Sequence, residues 1–579
     1  MGKTLLLLIA ATILNVCFIN CSTGSDIATK SENQATGSAL SIQVSNDIQL
    51  KSAPFSTLGL GVYESSNYYP GARTSAGHQM FAQEFQTHNL IRVNAFDWAA
   101  VVSDGCVPAG INDYSNCIQA FKQGLESSRG YLTDLTQVNK TKKLMINIFR
   151  TPNWLSLNPD STVACGGGNH GQSYRPKDYS VWQQLLKVTT DFMKEIESGG
   201  QGVVIYYEFW NEPDLACNWQ EGTPEFLELY SQTMPFIKAQ HPNAKVGGAG
   251  PVNWKGKIAK DGATKTQNLN FDLIKYVKDQ SLVMDYVSFH YFSNNYQGDF
   301  VDGVKAYRIY QQQLGISTAQ MPVLLTEWLP QNETPYGPNP SLAADAANLF
   351  LALQQVNLDT QGGLPWQDYG VEAYEQWGIV GFENSSKKPI FYVYKFFDNI
   401  ARTSLGLYQQ REDISVDLTG SSTKYKVGER ALLFSKLKTA GCYQMALWNR
   451  VAKASDASIA YLFSKGITLE ELQNAYGANN ELMLQLLISN IRKGQAFDAK
   501  WNAEFLQAQQ IFSAVEELRA SEVFSHTQKF LGFDKFKSVK AQSIARGNTP
   551  YQAKVITVKN NQLQFKLNSE EVMTADLCF

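Results

Sequence analysis

Two glutamates carry the strongest chemical signal in this 579-residue sequence. Glu212 lies in YYEFWNEPDLACNW (206–219), where an apolar run gives way to Asn211-Glu212-Pro213. Glu327 ends a second apolar run, MPVLLTEW (321–328). Side chains of an extended segment alternate between faces, so Glu208, Trp210 and Glu212 share one face, and Pro213 ends the strand. Two carboxyl groups on either side of one acetal are what glycosidic cleavage requires. One, with a raised pKa, protonates the leaving oxygen, and the other attacks the anomeric carbon. A separation of ~5–5.5 Å gives a covalent intermediate and retention, whereas ~6.5–9.5 Å admits a water and gives inversion.

Such a pair must be held by a scaffold, and the chain shows its rhythm from about residue 57. Apolar runs at 58–63, 90–96, 143–149, 203–210, 244–250, 285–292, 321–328 and 375–382 read as strands. Between them, 180–196, 224–240 and 341–355 carry apolar residues three and four apart and read as helices. Eight strands alternating with helices predict an α/β fold, a (β/α)8 TIM barrel over 55–403. A doubly wound sheet would want a Gly-rich phosphate turn after its first strand, and GLGVYESS is not one. Glu212 and Glu327 then end the fourth and seventh strands, three units of roughly 35–40 residues apart, facing each other across the mouth where barrel active sites lie. Beyond 403 short alternating runs predict a C-terminal β-sandwich domain (404–456 and 531–579) carrying a helical insertion at 457–530. There Thr468 and Glu471 form a capping box. Residues 22–54, polar and rich in Ser, Thr and Asn, read as a disordered lead.

Asn211-Glu212-Pro213 at strand four, Ser288-Phe289-His290-Tyr291 at strand six and Thr326-Glu327-Trp328 at strand seven together resemble clan A glycoside hydrolases over roughly residues 55–450. Those enzymes are retaining (β/α)8 hydrolases. Within the clan, Glu208-x-Trp210-Asn211-Glu212-Pro213-Asp214 is most similar to family 39, which holds β-xylosidases, α-L-iduronidases and some endo-acting polysaccharide hydrolases. The resemblance implies Glu212 as acid/base, Glu327 as nucleophile, Asn211 on the 2-hydroxyl and Arg92 supporting the nucleophile. It also implies His290 and Tyr291 lining the sugar site and Trp377 as its aromatic floor. The family motif has Trp and Phe where this chain has Ile205 and Tyr207, and Phe292 replaces its tyrosine two places after the histidine. Both departures bear on which sugar is taken.

Each residue also has a plainer reading. Arg92 is equally a partner for Glu208, whose depth below the mouth suits a buried, paired carboxylate. His290 would serve as a satisfied core histidine. Trp154, Trp328 and Trp366 are sugar platforms or packing beneath loops.

Net charge of -3 gives no electrostatic case for nucleic acid, and 44% hydrophobic residues suit a large core. MGKTLLLLIAATILNVCFIN has the basic start and short apolar run of a secretory signal (1–21), too short for a membrane helix, so a secreted chain is expected. A lipid-modified Cys21 is the alternative, though Phe18-Ile19-Asn20 lacks the small residues of a lipoprotein signal. Six cysteines remain, and export suggests disulfides. Spacing favours Cys106 with Cys117, Cys165 with Cys217, and Cys442 with Cys578. Sequons at Asn139, Asn332 and Asn384 are compatible with glycosylation. The expected enzyme is an O-glycosyl hydrolase of β-linked oligo- or polysaccharides with no metal or cofactor. The rivals are a non-catalytic carbohydrate-binding or adhesion protein and a transglycosylase. The helical insertion reads as a cap on the sandwich, with a protein-partner role as its alternative.

Overall fold

The computed structural model describes residues 40–45, 62–64, 84, 90–110, 112–137, 142–159, 173–252, 254–258, 268–291, 300–328, 340–356, 358, 360–361, 387–419, 424–477, 480–520, 524–531, 536–544, 551–559, 562–567 and 571–579. They fall into two compact units. One takes in the described residues between Pro54 and Pro330 and between Leu349 and Lys387; the other takes in those between Ile9 and Ala53, Gln331–Asn348 and Lys388–Phe579.

Strand β1 (Leu40–Ser45) belongs to the second unit. The first unit is a (β/α)8 barrel. Its strands are β2 (Val62–Glu64), β3 (Leu90–Val93), β4 (Lys143–Ile148), β5 (Val204–Phe209), β6 (Lys245–Ala249), β7 (Tyr286–Tyr291), β8 (Val323–Trp328) and β9 (Thr360–Gln361). They pair in chain order, and every pair is parallel. The eighth strand is the two-residue Thr360–Gln361, beside Leu324 and Leu325. The run at 375–382 lies outside the described residues. Amphipathic helices coat the strands. Tyr179–Gly199 is started by Asp178, whose side chain accepts from the N–H groups of Ser180 and Val181, and it buries Trp182, Leu185, Leu186 and Met193. Inside the barrel, Leu90, Met145, Tyr286 and Leu324 form one apolar layer with Tyr206 against it. Layers of this kind make a barrel interior a packed core.

The second unit holds two sheets. The larger is antiparallel, built from β10 (Ser404–Asp417), β11 (Lys424–Leu437), β12 (Cys442–Val451), β14 (Ser538–Ile544), β15 (Tyr551–Ala553) and β18 (Val572–Cys578), in the order β10-β11-β12-β18-β14-β15. The smaller joins β1 to β13 (Phe524–Leu531), β17 (Gln562–Leu567) and β16 (Thr557–Lys559). Leu432, Phe434, Met445 and Leu447 of one sheet pack with Leu563, Phe565 and Leu567 of the other, which makes the sandwich core. The lead expected to be disordered contributes a strand at Leu40–Ser45, paired parallel with β13; LSIQVS alternates apolar and polar residues, the pattern of a strand. Helices Ala454–Ser464, Leu469–Tyr476, Asn480–Lys493 and Asn502–Ala520 form the insertion, their apolar faces sharing one core with Ile414 and Val416 of β10, Val427 of β11 and Val451 of β12, and the Thr468–Glu471 capping box is present. Residues 524–530, read as part of that insertion, are strand instead.

Disulfides join Cys106 to Cys117 and Cys442 to Cys578. Cys217 is also disulfide-bonded, and Cys165 lies outside the described residues. Among the described residues no helix is long and apolar enough to cross a membrane.

Candidate active site

Two residues above the apolar barrel layer, the same strands present Arg92, Asn147, Glu208, Ser288 and Thr326, all fully buried. A buried charge needs partners, and Arg92 finds them in two carboxylates and a side-chain amide. Its Nε donates to Glu208 Oε2 at 2.5 Å, one Nη to Glu327 Oε1 and the other to Asn211 Oδ1 at 2.8 Å. Asn147 donates its amide to the same Glu208 oxygen at 3.2 Å and to the Trp210 carbonyl at 2.5 Å.

Above this layer the backbone departs from regular strand. Trp210 and Glu212 both adopt left-handed conformations, with φ of 64° and 46°. Such conformations are rare for non-glycine residues and persist only where surrounding structure imposes them. Here Trp210 N–H donates to the Ile148 carbonyl, and Glu212 N–H donates to the Gly250 carbonyl at 2.9 Å. Gly250 is itself left-handed, at φ 53°. A Cβ there would stand 3.2 Å from His290 Nε2 and 3.3 Å from Glu208 Oε1, so any side chain crowds both groups.

The seventh strand is adjusted differently. Phe289 lies opposite Leu325, but His290 lies opposite Glu327, so Thr326 is an extra residue in β8. Strict alternation would place Thr326 inward and Glu327 outward. The bulge lets both serve the interior, as bulges beside functional sites commonly do.

His290 bridges the two sides. Its Nδ1 is 3.1 Å from Glu212 Oε1 and 3.8 Å from Glu327 Oε2. One oxygen of Glu212, one of Glu327 and a His290 ring nitrogen all lie within 4.8 Å of one another. Three such donors would also reach a cation. The Arg92 guanidinium already on Glu327, however, sets a positive charge beside that point. The glutamate side chains keep 17% and 15% exposure, so a ligand can touch them, whereas Arg92, Glu208 and His290 keep none.

This environment separates the carboxyl groups by charge state. Burial pushes Glu212 up to about 7, against the opposing pull of Arg92 and with a further push from Glu208. Burial raises Glu327 as well, with His290 and Arg92 opposing. Burial would raise Glu208 too, but Arg92, His290, Thr326 and Ser288 outweigh it and hold it below the ordinary range. Burial lowers His290, which favours neutral imidazole. The site therefore offers a carboxylic acid at neutral pH close to a second carboxyl group supported by a cation.

The sequence pattern of glycosyl hydrolases family 39 matches residues 155–357, which span the strands bearing Glu212, His290 and Glu327. The chain is most like family 39. It is an O-glycosyl hydrolase, similar to those of clan A. Solved structures agree on the fold. A glucosidase from Croceicoccus marinus is 13% identical with a TM-score of 0.53, over 93% of this chain and 99% of that one. The family 39 enzyme from Xanthomonas axonopodis pv. citri is 13% identical with a TM-score of 0.51, over 93% and 97%. A monomeric beta-xylosidase from Caulobacter crescentus is 14% identical with a TM-score of 0.50, over 93% and 99%.

Within this family 39-like barrel, Glu212, Glu327, Asn211, Arg92 and His290 come together: Arg92 is hydrogen-bonded to Glu327 and Asn211, His290 to Glu212, and His290 stands 3.8 Å from Glu327. The expected aromatic positions are less exposed. Tyr291 is 1% exposed and packs edge-on against Phe300. Trp328 is fully buried against Phe350. Trp154 is 6% exposed, with its indole N–H donating to Ser103. Trp377 and Trp366 lie outside the described residues. Trp210, read as sharing the inward face with Glu208, instead packs against Phe149, Phe209 and Trp219, because its left-handed backbone breaks the alternation.

Two participants were given no role by the sequence reading. Asn147 was marked only by being a polar residue at an inward position of KLMINIF. Asp214 follows Pro213, accepts the Val252 N–H and is pushed up to about 8 by burial. It ties the Glu212 turn to the loop after β6.

Proposed function

We propose that this chain is a secreted, retaining hydrolase of β-linked glycosides or polysaccharides, working by double displacement between Glu212 and Glu327. The observation that carries the reading is the approach of their carboxyl oxygens to within 4.8 Å, the spacing suited to direct attack on an anomeric carbon. Glu212, held protonated near neutral pH, gives its proton to the glycosidic oxygen as the carbon–oxygen bond breaks. The Glu327 carboxylate supplies the electron pair for a new ester bond to that carbon. Glu212, now a carboxylate, takes a proton from water, and the hydroxide displaces Glu327 with the original configuration restored. Arg92 steadies Glu327 as its charge comes and goes, and it orients Asn211 towards the hydroxyl beside the reacting carbon.

The family match, and a neighbour described as a beta-xylosidase, favour β-linked sugars. The leader at 1–21 and the disulfides at Cys106–Cys117 and Cys442–Cys578 favour export to an oxidising compartment. A 2-fluoro glycoside tests the mechanism: it should inactivate the enzyme by labelling Glu327, as read by peptide mass spectrometry. NMR should show the β-anomer as first product. A first-formed α-anomer with no labelled peptide would refute double displacement.

A further inference from the structure

The reading above uses Arg92 as given, yet an arginine serves several groups accurately only when something fixes its plane. We propose that Glu208 is a positioning residue: from the layer beneath the reacting carboxyls it fixes the Arg92 guanidinium, and through it the placement of Glu327 and Asn211. The inference rests on the two-carboxylate mechanism and extends it by one residue.

The geometry separates an anchored end from a working end. Glu208 is fully buried, takes Arg92 Nε at 2.5 Å and is itself held by the Asn147 amide at 3.2 Å. Glu327 keeps 15% exposure and meets Arg92 through a different nitrogen. A guanidinium is a rigid planar fork, so tying Nε to a fixed carboxylate sets the directions of both remaining NH2 groups. Those two go to Glu327 and Asn211.

The need for such an anchor follows from the reaction. Glu327 is an anion in the free enzyme and an ester in the intermediate, so its hold on Arg92 weakens halfway through each turnover. A buried guanidinium left without a counter-ion would be costly. Glu208 never reacts, and it keeps the charge balanced in both states. It also divides the field of Arg92, whose positive charge draws down both Glu327 and Glu212, while Glu208 opposes that effect at each.

Glu208→Gln, in the full chain, removes the charge but keeps the shape and an acceptor oxygen. It should lower kcat by about a hundredfold, the scale of a misplaced reacting group, with KM changed little. Both limbs of its pH–rate profile should move to lower pH, because Arg92 then acts undivided on Glu327 and Glu212. Glu208→Asp keeps the charge and withdraws it by one methylene; it should lower kcat while leaving the limbs in place. A wild-type profile and rate in either folded variant would overturn the proposal. So would failure of both to fold, which would mark a purely structural pair. Glu327→Ala, assayed alongside, separates the two ideas: if it stays active the double-displacement reading fails, and if it is dead while Glu208→Gln behaves as wild type only the positioning role fails.

Discussion

The barrel interior has two levels, and the same five strands build both. Leu90, Met145, Tyr206, Tyr286 and Leu324 form the lower level, an apolar layer joined by contact alone. Two residues further along each strand come Arg92, Asn147, Glu208, Ser288 and Thr326, equally buried but polar or charged. In the lower level each side chain contributes its own buried area, and losing one leaves the others in place. In the upper level one guanidinium serves three side chains, so removing any of them alters charge and geometry for the rest. The lower level stabilises by packing, and the upper one spends stability to hold reacting groups in place.

Substitutions at the top should therefore abolish turnover without much unfolding, and the largest effect belongs to Glu327. Glu327→Ala should cut kcat by roughly four orders of magnitude or more, with unfolding temperature barely changed. Glu212→Ala should cost roughly two to four orders of magnitude on alkyl glycosides and far less on aryl glycosides with good leaving groups, which need no proton. Equal losses on both substrate classes would break the assignment of the acid.

The pH dependence tests the same level without mutation. Glu212 must carry its proton to act, and burial has pushed it up to about 7, so kcat/KM should fall as pH rises through about 7. An alkaline limb absent up to pH 9 would contradict that environment. The smallest effect on turnover comes from below: Leu324→Ala should cost about 2–5 kcal/mol of stability while the folded fraction turns over at close to the normal rate. A collapse of kcat in folded Leu324→Ala would show that the two levels are not separable.

The levels also differ in how far they could be read from sequence. Strand-end position brought out Glu212 and Glu327, and the family resemblance added Arg92, because regular strands carry all three most of the way. What alternation cannot foresee is its own breakdown. YYEFWNEP reads as a strand up to the proline, yet the backbone turns left-handed at Trp210 and Glu212, and Trp210 goes to an aromatic cluster instead of the barrel axis. VLLTEW shows no sign of the extra residue at Thr326 that turns Glu327 inward. Trp154 and Trp328 were marked for sugar by residue type alone, and both are taken up by packing. The strand at Leu40–Ser45 was missed because its partner, Phe524–Leu531, comes from almost 500 residues later, beyond the reach of any local pattern.

In the sandwich, β18 lies at the middle of the six-stranded sheet, between β12 and β14, and Cys578 meets Cys442 across the strand pair. During synthesis, β10, β11 and β12 emerge with one long flank unsatisfied, and that flank waits while more than a hundred further residues are made. The six-stranded sheet is therefore completed only once β18 has been made. Until then an adhesive edge stands open to neighbouring nascent chains.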